Sequence, residues 1–369
     1  MKKSLILAGA LTSLLLAGCG GPTVSESSNT GSDNMPPSSA SGGSGSVGEP
    51  ETVEPTSNPV EDIVIENVEA SGSCGDNVTW TYGNGMLIIE GTGSMYDWND
   101  ISNYLESDKI DKEPSPWSDF SKQIRTVKIG DGVTTIGGSA FYGCSLLANV
   151  IIPSSVTSIK YDAFAGCSLG LTNITIPNSV TQIGYGTFAG CKSLTSITIP
   201  DSITSIAGDM FNNCRGLINV DIPNSITEIG NSAFAFCESL TSIAIPDSVT
   251  SIGDGTFWGC TSLTDVTISN SITSIGDWGF TECENLPNIT IPSGVTSIGQ
   301  SAFSKCGSLT SVTIPGSVTS VGVMAFYECN NLADVYYSGS ESQWGQIAFD
   351  TSYGDSNAPL FSANIHYNS

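Results

Sequence analysis

Cysteine is the residue type in this sequence whose spacing most suggests chemistry. Nine cysteines recur at intervals of 23 residues, with a single interval of 24. They are Cys144, Cys167, Cys191, Cys214, Cys237, Cys260, Cys283, Cys306 and Cys329. A regular array of thiols could ligate metal ions, supply nucleophiles or form disulfides.

The spacing argues against each of these uses. Metal sites built from Cys prefer close pairs such as C-x2-C, and this sequence has none. A nucleophilic Cys needs a partner base, yet the only histidine, His366, lies near the C-terminus. Stacked repeats would bring neighbouring Cys residues within bridging distance, but equivalent side chains would run parallel and nine is an odd number. We therefore predict a ladder of buried, reduced thiols; Cys74 lies outside it, and its redox state is left open.

The carboxylates show no catalytic pattern either. Asp201, Asp247 and Asp254 fall in predicted turns, where Asp bonds the local backbone. A glycosidase would need two carboxylates fixed across a cleft. The sequence contains no calcium-loop, H-E-x-x-H, phosphate-binding or G-x-S-x-G motif. We predict that the protein is not an enzyme and holds neither a cofactor nor a metal ion.

One unit of the repeat, LTSIAIPDSVTSIGDGTFWGC (240–260), shows which elements position the thiols. Alternation of apolar and small residues over Ile243–Ile245 predicts a strand with one face inward. The sequence Pro246-Asp247-Ser248 breaks the strand and turns the chain. A second short apolar pair, Val249 and Ile252, then predicts a second strand.

The rest of the unit closes the coil. We expect a positive φ at Gly253 and a short helical turn before Cys260, with Phe257 inside. About seven buried side chains cannot offset the ordering entropy of a 23-residue unit, so units must stack. The fold class predicted is therefore a β-rich solenoid of about ten repeats, with a parallel strand ladder, short second strands, helical turns and a cap at each end.

The consensus LTSIxIPxSVTSIGxxxFxxC resembles the leucine-rich repeat of the BspA-like bacterial surface lipoprotein family. The resemblance covers roughly residues 124–338. It implies a leucine-rich-repeat solenoid and a role in adhesion to host matrix or to neighbouring cells. Two departures, Ser269 in place of Pro and Ala207 in place of Gly, affect single turns.

The ends of the chain predict an export signal, a linker and the two caps. Leu5–Ala17 is an apolar run that follows two lysines and ends in LAGC, which resembles a lipobox with Cys19 as the lipidated residue. Asn84-Gly85 predicts a hairpin turn, and the spacing of Ser340 and Gln343 predicts a helix capping box. The predicted domains are a signal peptide (1–18), a disordered acidic tether (19–66), an N-terminal hairpin cap (67–123), the solenoid (124–338) and a C-terminal cap (339–369).

Candidate binding residues lie on two surfaces. The outward position of the first strand is a small, polar row, suited to pairing across strands. It consists of Thr175, Thr198, Asp221, Ala244, Thr267, Thr290 and Thr313. Aromatic candidates for ligand contact are Tyr161 and Tyr185, at one repeat position, and Trp258 and Trp278, at two others; each could instead simply cover a corner of its coil.

The charge restricts the partners. The chain carries a net charge of −25, and there is no basic residue between Lys3 and Lys109. A nucleic-acid partner is excluded because phosphate binding needs clustered Lys and Arg. We predict a monomeric, non-catalytic lipoprotein on the extracellular face of the bacterial envelope, held to a membrane through Cys19, that binds an extracellular protein or glycan. Adhesion is the expected role, and capture of glycans or peptides for nutrient acquisition is the alternative.

Overall fold

The computed structural model describes residues 65–98, 114–354 and 357–368. The predicted signal peptide, Cys19 and nearly all of the tether lie outside the described residues. Within them, the chain winds into successive coils. Each coil contributes one strand to each of two ladders, except that the coil with residues 173–175 lacks the first-ladder strand. The strands are β1 (Ala70–Ser73), β2 (Val78–Gly83), β3 (Met86–Gly91), β4 (Gly93–Ser94), β5 (Thr126–Ile129), β6 (Val133–Ile136), β7 (Asn149–Ile151), β8 (Ser158–Ile159), β9 (Gln182–Ile183), β10 (Ser196–Thr198), β11 (Ser205–Ile206), β12 (Asn219–Asp221), β13 (Glu228–Ile229), β14 (Ser242–Ala244), β15 (Ser251–Ile252), β16 (Asp265–Thr267), β17 (Ser274–Ile275), β18 (Asn288–Thr290), β19 (Ser297–Ile298), β20 (Ser311–Ile314), β21 (Ser320–Val321), β22 (Asp334–Tyr337), β23 (Ala348–Phe349) and β24 (Asn364–Tyr367).

From coil to coil the strands of both ladders run parallel. Within the described residues, the exceptions are the antiparallel cap strands β1, β2 and β3 and a register shift between β4 and β6. The first ladder contains the sheets β1-β2-β3-β5-β7, β10-β12, β14-β16 and β18-β20-β22-β24. The second contains β4-β6-β8-β9, β11-β13-β15 and β17-β19-β21-β23. Equivalent residues of successive coils pair, as Ile229 does with Ile252. The predicted solenoid, with its strand ladder and short second strands, is confirmed.

The one-residue insertion changes the first ladder locally. Residues 173–175 have the strand sequence but form no strand. In this coil the buried leucine, Leu171, comes four residues after Cys167 rather than three. The backbone N–H groups of Leu169 and Gly170 both donate to the carbonyl of Ser145, at 2.9 and 3.2 Å. The extra residue is taken up next to the strand position, so the segment no longer pairs with β7 or β10.

The corner of each coil differs from the prediction in one respect. Gly253 does not adopt a positive φ; its Cβ would lie 2.4 Å from the backbone nitrogen of Asn231, so glycine is there to let coils approach. The rest of the corner consists of short turns, as expected: the Trp258 N–H donates to the Gly255 carbonyl at 3.0 Å. Gly255 and Gly259, with φ values of 60° and 70°, interrupt any longer right-handed run.

A stack of phenylalanine rings runs through the core. Nine Phe residues, one per coil, are almost fully buried, and successive ring centroids lie 5.2–5.8 Å apart. They are Phe141, Phe164, Phe188, Phe211, Phe234, Phe257, Phe280, Phe303 and Phe326. Because every ring contacts the rings before and after it, the stack joins the coils into one core.

The cap at the N-terminal end continues this stack. β2 and β3 form an antiparallel hairpin around Asn84 and Gly85, which have φ values of 52° and 76°, as expected for an Asn-Gly turn. The Trp117 ring stacks on Phe141 at 5.7 Å, and its indole nitrogen donates to the carbonyl of Ala140 at 2.8 Å. A 3-10 helix, Ser118–Phe120, follows this tryptophan.

The cap at the C-terminal end contains helices α1 (Glu341–Trp344) and α2 (Ala358–Ser362). Ser340 and Gln343 form the expected capping box at the start of α1. The Asn357 side chain is buried and bonds the last coil through the Phe326 N–H (3.0 Å) and the Gly322 carbonyl (3.1 Å).

The thiols form a second internal ladder beside the rings. All ten cysteines of the described residues are free and buried. From Cys167 to Cys329, each Sγ lies 3.0–3.4 Å from the carbonyl oxygen of the Phe in the preceding coil; Cys260, for example, contacts Phe234 at 3.2 Å. Burial raises the pKa of Cys260 and of Cys144 to about 12, which keeps these thiols protonated and unreactive.

Removal of one ring should destabilise the whole array. Phe234→Ala should lower the free energy of unfolding by about 3–5 kcal/mol, because this ring is fully buried between two others. Urea unfolding followed by circular dichroism measures the change. Ser251→Ala, in the same region but exposed, is the control and should stay within about 0.5 kcal/mol. A loss below about 1 kcal/mol for Phe234→Ala would contradict the role of the stack.

Alkaline pH should unfold the protein through its thiols. An unfolded Cys deprotonates near pH 8.5, whereas folded Cys260 stays protonated to about pH 12. This contribution to stability is therefore complete below about pH 8.5 and is lost progressively as the pH rises toward 12. Urea midpoints measured between pH 7 and 11 should fall above pH 8.5. Cys260→Ala should flatten the decline by up to about 1.4 kcal/mol per pH unit; an unchanged slope would show that this thiol is not protected.

Candidate functional site

The outward side chains of the first ladder form a broad polar surface, which we call the strand face. It comprises two rows. In the row predicted from the sequence, the first six residues, Thr175 to Thr290, are exposed and Thr313 is half-buried. The second row, also exposed, consists of Asn173, Ser196, Asn219, Ser242, Asp265 and Asn288. Nearly all of these side chains are small and uncharged.

Interruptions of the first ladder open shallow cavities on the strand face. One, of about 380 Å³, lies at residues 173–175 and is lined by Met86, Val150 and Ile174 among others. Another, of about 260 Å³, lies between β12 and β14. Within the described chain, the backbone N–H groups of residues 171–176 donate no hydrogen bond to another backbone group. The strand face thus offers main-chain donors as well as side-chain hydroxyls and amides.

The C-terminal end of the strand face carries an aromatic cluster that the sequence analysis missed. The rings of Tyr336 and His366 stack at 4.8 Å, and Nε2 of His366 lies 2.7 Å from an oxygen of Asp334. Tyr336 is 47% exposed. The alignment of DVYY (334–337) with SVTI (311–314) in adjacent coils was the available signal, because it places Tyr336 in the threonine row.

The two tyrosine candidates occupy one row of coil corners but turn their rings apart. The Tyr161 ring covers Gly138 of the preceding coil, whose Cβ would lie 2.4 Å from the ring. The Tyr185 ring lies over Gly208 of the following coil. Tyr161 is half-buried, whereas Tyr185 is 49% exposed. Only Tyr185 therefore offers much ring surface to a ligand.

Trp258 is built into a chain of contacts between coils. Its ring packs on Phe236 of the preceding coil at 5.3 Å, and its indole nitrogen lies 3.3 Å from a carboxylate oxygen of Glu282 in the next. Glu282 in turn pairs with Lys305 at 2.7 Å. Trp258 is half-buried, and these contacts fit the alternative that it covers a corner.

Trp278 is more exposed, at 37%, and its backbone is strained. Its φ is 55°, at the corner position where the preceding coil has Gly255 and the following coil has Ser301. A bulky residue in this left-handed region costs roughly 1–2 kcal/mol. None of the four aromatic candidates stacks on another, so the structure does not bring them together as one site.

The described residues contain little of what catalysis would need. His366 forms a hydrogen bond with Asp334 and with no described Ser or Cys. Across residues 65–98, 114–354 and 357–368, no three His, Cys, Asp or Glu side chains converge as metal ligands would. No helix in the described part of the chain is long and apolar enough to span a membrane.

Several solved bacterial structures are similar to this chain. A leucine-rich cell surface protein from Faecalibacterium prausnitzii is 27% identical, with 76% of this chain and 98% of that chain covered and a TM-score of 0.34. A leucine-rich repeat protein from Eubacterium ventriosum is 23% identical, with coverages of 72% and 90% and a TM-score of 0.39. A leucine-rich repeat protein of T. pallidum is 23% identical, with 71% of this chain and 87% of that chain covered and a TM-score of 0.34.

Curated proteins give no match to this sequence. A family model described as the BspA type leucine rich repeat region matches with six copies, over residues 119–241 and 227–354. These matches span more than half of the chain and coincide with the coils described above. The protein belongs to the BspA-type leucine-rich-repeat family.

Proposed function

We propose that this protein is a non-catalytic lipoprotein of the bacterial cell surface that binds extracellular proteins through its strand face, in adhesion to host matrix or to other cells. The observation that carries the proposal is the continuity of the strand face. Its two exposed rows run without a large or basic side chain from Asn173 to Thr290. Membership of the BspA-type family supports a binding role over turnover.

The dimensions of the strand face favour a macromolecular partner. From β7 to β22 there are eight coil intervals, which at about 4.8 Å each span roughly 40 Å. The cavities on this face are shallow and lie at the interruptions of the ladder. A small molecule would contact only a fraction of such a surface, whereas an extended protein segment could bond its hydroxyls, amides and free main-chain donors along the length.

The charge of the strand face sets the type of interaction. Few ionised groups lie along it, so hydrogen bonds and aromatic contacts supply the affinity, and binding should depend little on salt. Tyr336, exposed at one end, is the best anchor on this face because Tyr combines a large ring with a polar tip. Tyr185 and Trp278 remain proposed ligand contacts on the corners, whereas Tyr161 and Trp258 are mostly engaged with neighbouring coils.

Binding to immobilised matrix proteins tests the proposal. The full-length protein should bind fibronectin or fibrinogen saturably, with less than a threefold change between 50 and 500 mM NaCl. Tyr336→Ala should weaken binding at least tenfold, because it removes the anchor. Tyr142→Ala, an equally exposed tyrosine on a corner, is the matched control and should change affinity less than threefold. If the control substitution weakened binding more than Tyr336→Ala did, the protein-binding surface would lie at the corners. If the protein bound no matrix protein at all, the adhesive role would be refuted.

Membrane attachment depends on Cys19, which lies outside the described residues. Acyl chains contribute about 0.8 kcal/mol per buried methylene, so a lipidated Cys19 would hold the protein at a membrane. Cys19→Ala should shift the protein from the membrane fraction to the soluble fraction in cell fractionation. Cys74→Ala, which changes a buried cysteine of the cap, is the control and should stay with the membrane. A Cys19 variant that remains attached would contradict the lipid anchor.

A further inference from the structure

A groove of about 460 Å³ lies where the last coils meet the C-terminal cap. It runs along the edge between the second ladder and the corners, on residues distinct from the strand face. Its lining includes Asp277, Gln300, Ser320, Val321, Phe349 and Asp350. Its volume is in the range of small-molecule sites.

Several polar groups of the groove have hydrogen-bonding capacity to spare. The Gln300 carboxamide and the Ser320 hydroxyl make no hydrogen bond with the described residues, although both residues are half-buried. One oxygen of Asp277 accepts the Gln300 N–H at 2.6 Å, which leaves the second oxygen for a ligand. Asp350 accepts the Ser352 N–H at 2.9 Å with one oxygen and likewise has a second. Donors and acceptors are therefore both present.

One aromatic residue lies beside these polar groups. Phe349 of β23 lines the groove and is half-buried. Its ring also packs on the rings of Trp344 and Phe361 in the cap, with centroid distances of 5.5 and 4.9 Å, and these contacts fix its position.

The charge of the groove restricts its ligand. Two carboxylates and no Lys or Arg line it, so an anionic ligand would be repelled. The second ladder is closed here by the pairing of β21 with β23, so a peptide cannot bind by adding a strand to these two. Sugar hydroxyls each donate and accept a hydrogen bond, which suits carboxylates beside a carboxamide, and the apolar face of a sugar ring packs on aromatic rings.

We propose that this groove binds a neutral oligosaccharide. Gln300, Asp277 and Asp350 bond its hydroxyls, and Phe349 contacts a ring face. This site is separate from the protein-binding strand face and would add recognition of a glycan to a surface adhesin.

Titration calorimetry and tryptophan fluorescence of the full-length protein test the proposal. The probes are maltohexaose, cellohexaose, mannohexaose and xylohexaose, with trigalacturonic acid as the anionic comparison. At least one neutral probe should bind with a Kd below about 1 mM, and the anionic sugar should not. Gln300→Leu should weaken this binding at least tenfold, because it removes the carboxamide while the backbone bond to Asp277 is kept.

Asp350→Ala is the second variant and avoids a loss of folding, because Asp350 is exposed and its side chain bonds only Ser352 within the described residues. It should also weaken binding at least tenfold. Asp201→Ala makes the same change at an exposed turn of a distant coil and should bind as the parent does.

Three results would overturn the proposal. These are no binding of any neutral probe at 10 mM, preferential binding of trigalacturonic acid, and unchanged affinity in both groove variants. Failure here is distinguishable from failure of the adhesive role, because Gln300→Leu should leave the binding of matrix proteins unchanged.

Discussion

The contact between one coil and the next is the interaction on which the whole structure depends. Each coil places a phenyl ring against the rings of its neighbours and a thiol against a carbonyl of the coil before it. Neither contact exists within a single coil, so a coil has little stability by itself. The ring centroids are uniformly spaced, at 5.2–5.8 Å, so the stacked rings hold successive coils at a constant separation. The exposed rows of the strand face are consequences of this internal regularity, because residues line up on the outside only where the inner residues of successive coils are in register.

The corners show a second form of coupling between coils. Oδ1 of Asp254 accepts the backbone N–H of Asp277, and Asp277 does the same for Gln300, at 2.9 and 2.6 Å. These carboxylates lie at the surface yet bond the main chain of the following coil, which gives the acidic residues of the turns a structural role. Asp277 therefore bonds the next coil through one oxygen and also lines the groove, so one residue belongs to both the scaffold and the proposed glycan site.

Much of this fold was predictable from the sequence, because the same pattern of apolar and turn residues recurs in every repeat unit. The buried rings, the thiol ladder, the Asn84-Gly85 hairpin and the capping box at Ser340 all follow from local patterns. Gly253 shows the limit of prediction from sequence. A glycine needed for a positive φ cannot be distinguished in the sequence from a glycine needed for the close approach of two coils. Only the position of Asn231 in the neighbouring coil separates the two explanations. The positive φ of Trp278 was hidden for a related reason: the stack imposes the backbone of the corner on whatever residue occurs there.

The candidate site was harder to predict than the fold. Tyr336 was missed because it lies in the last aligned unit, where the consensus is weakest. Interruption of the ladder at residues 173–175 follows from an insertion visible in the sequence, but its effect on pairing depends on how Leu169 and Gly170 pack on the preceding coil. The groove could not be predicted, because Phe349 and Asp350 of the cap are distant in sequence from Asp277 and Gln300.

Asn357 has a consequence for how long the array can be. Its carboxamide oxygen accepts the Phe326 N–H, which another coil would otherwise use, and its carboxamide nitrogen donates to the Gly322 carbonyl. At every earlier corner, the equivalent N–H is satisfied by the next repeat, as the N–H of Phe303 is by Ala325. The buried Asn357 amide thus makes the hydrogen bond that a following coil would make, and it ends the series of coils. An additional repeat would therefore have to be inserted before Asn357 and not after it.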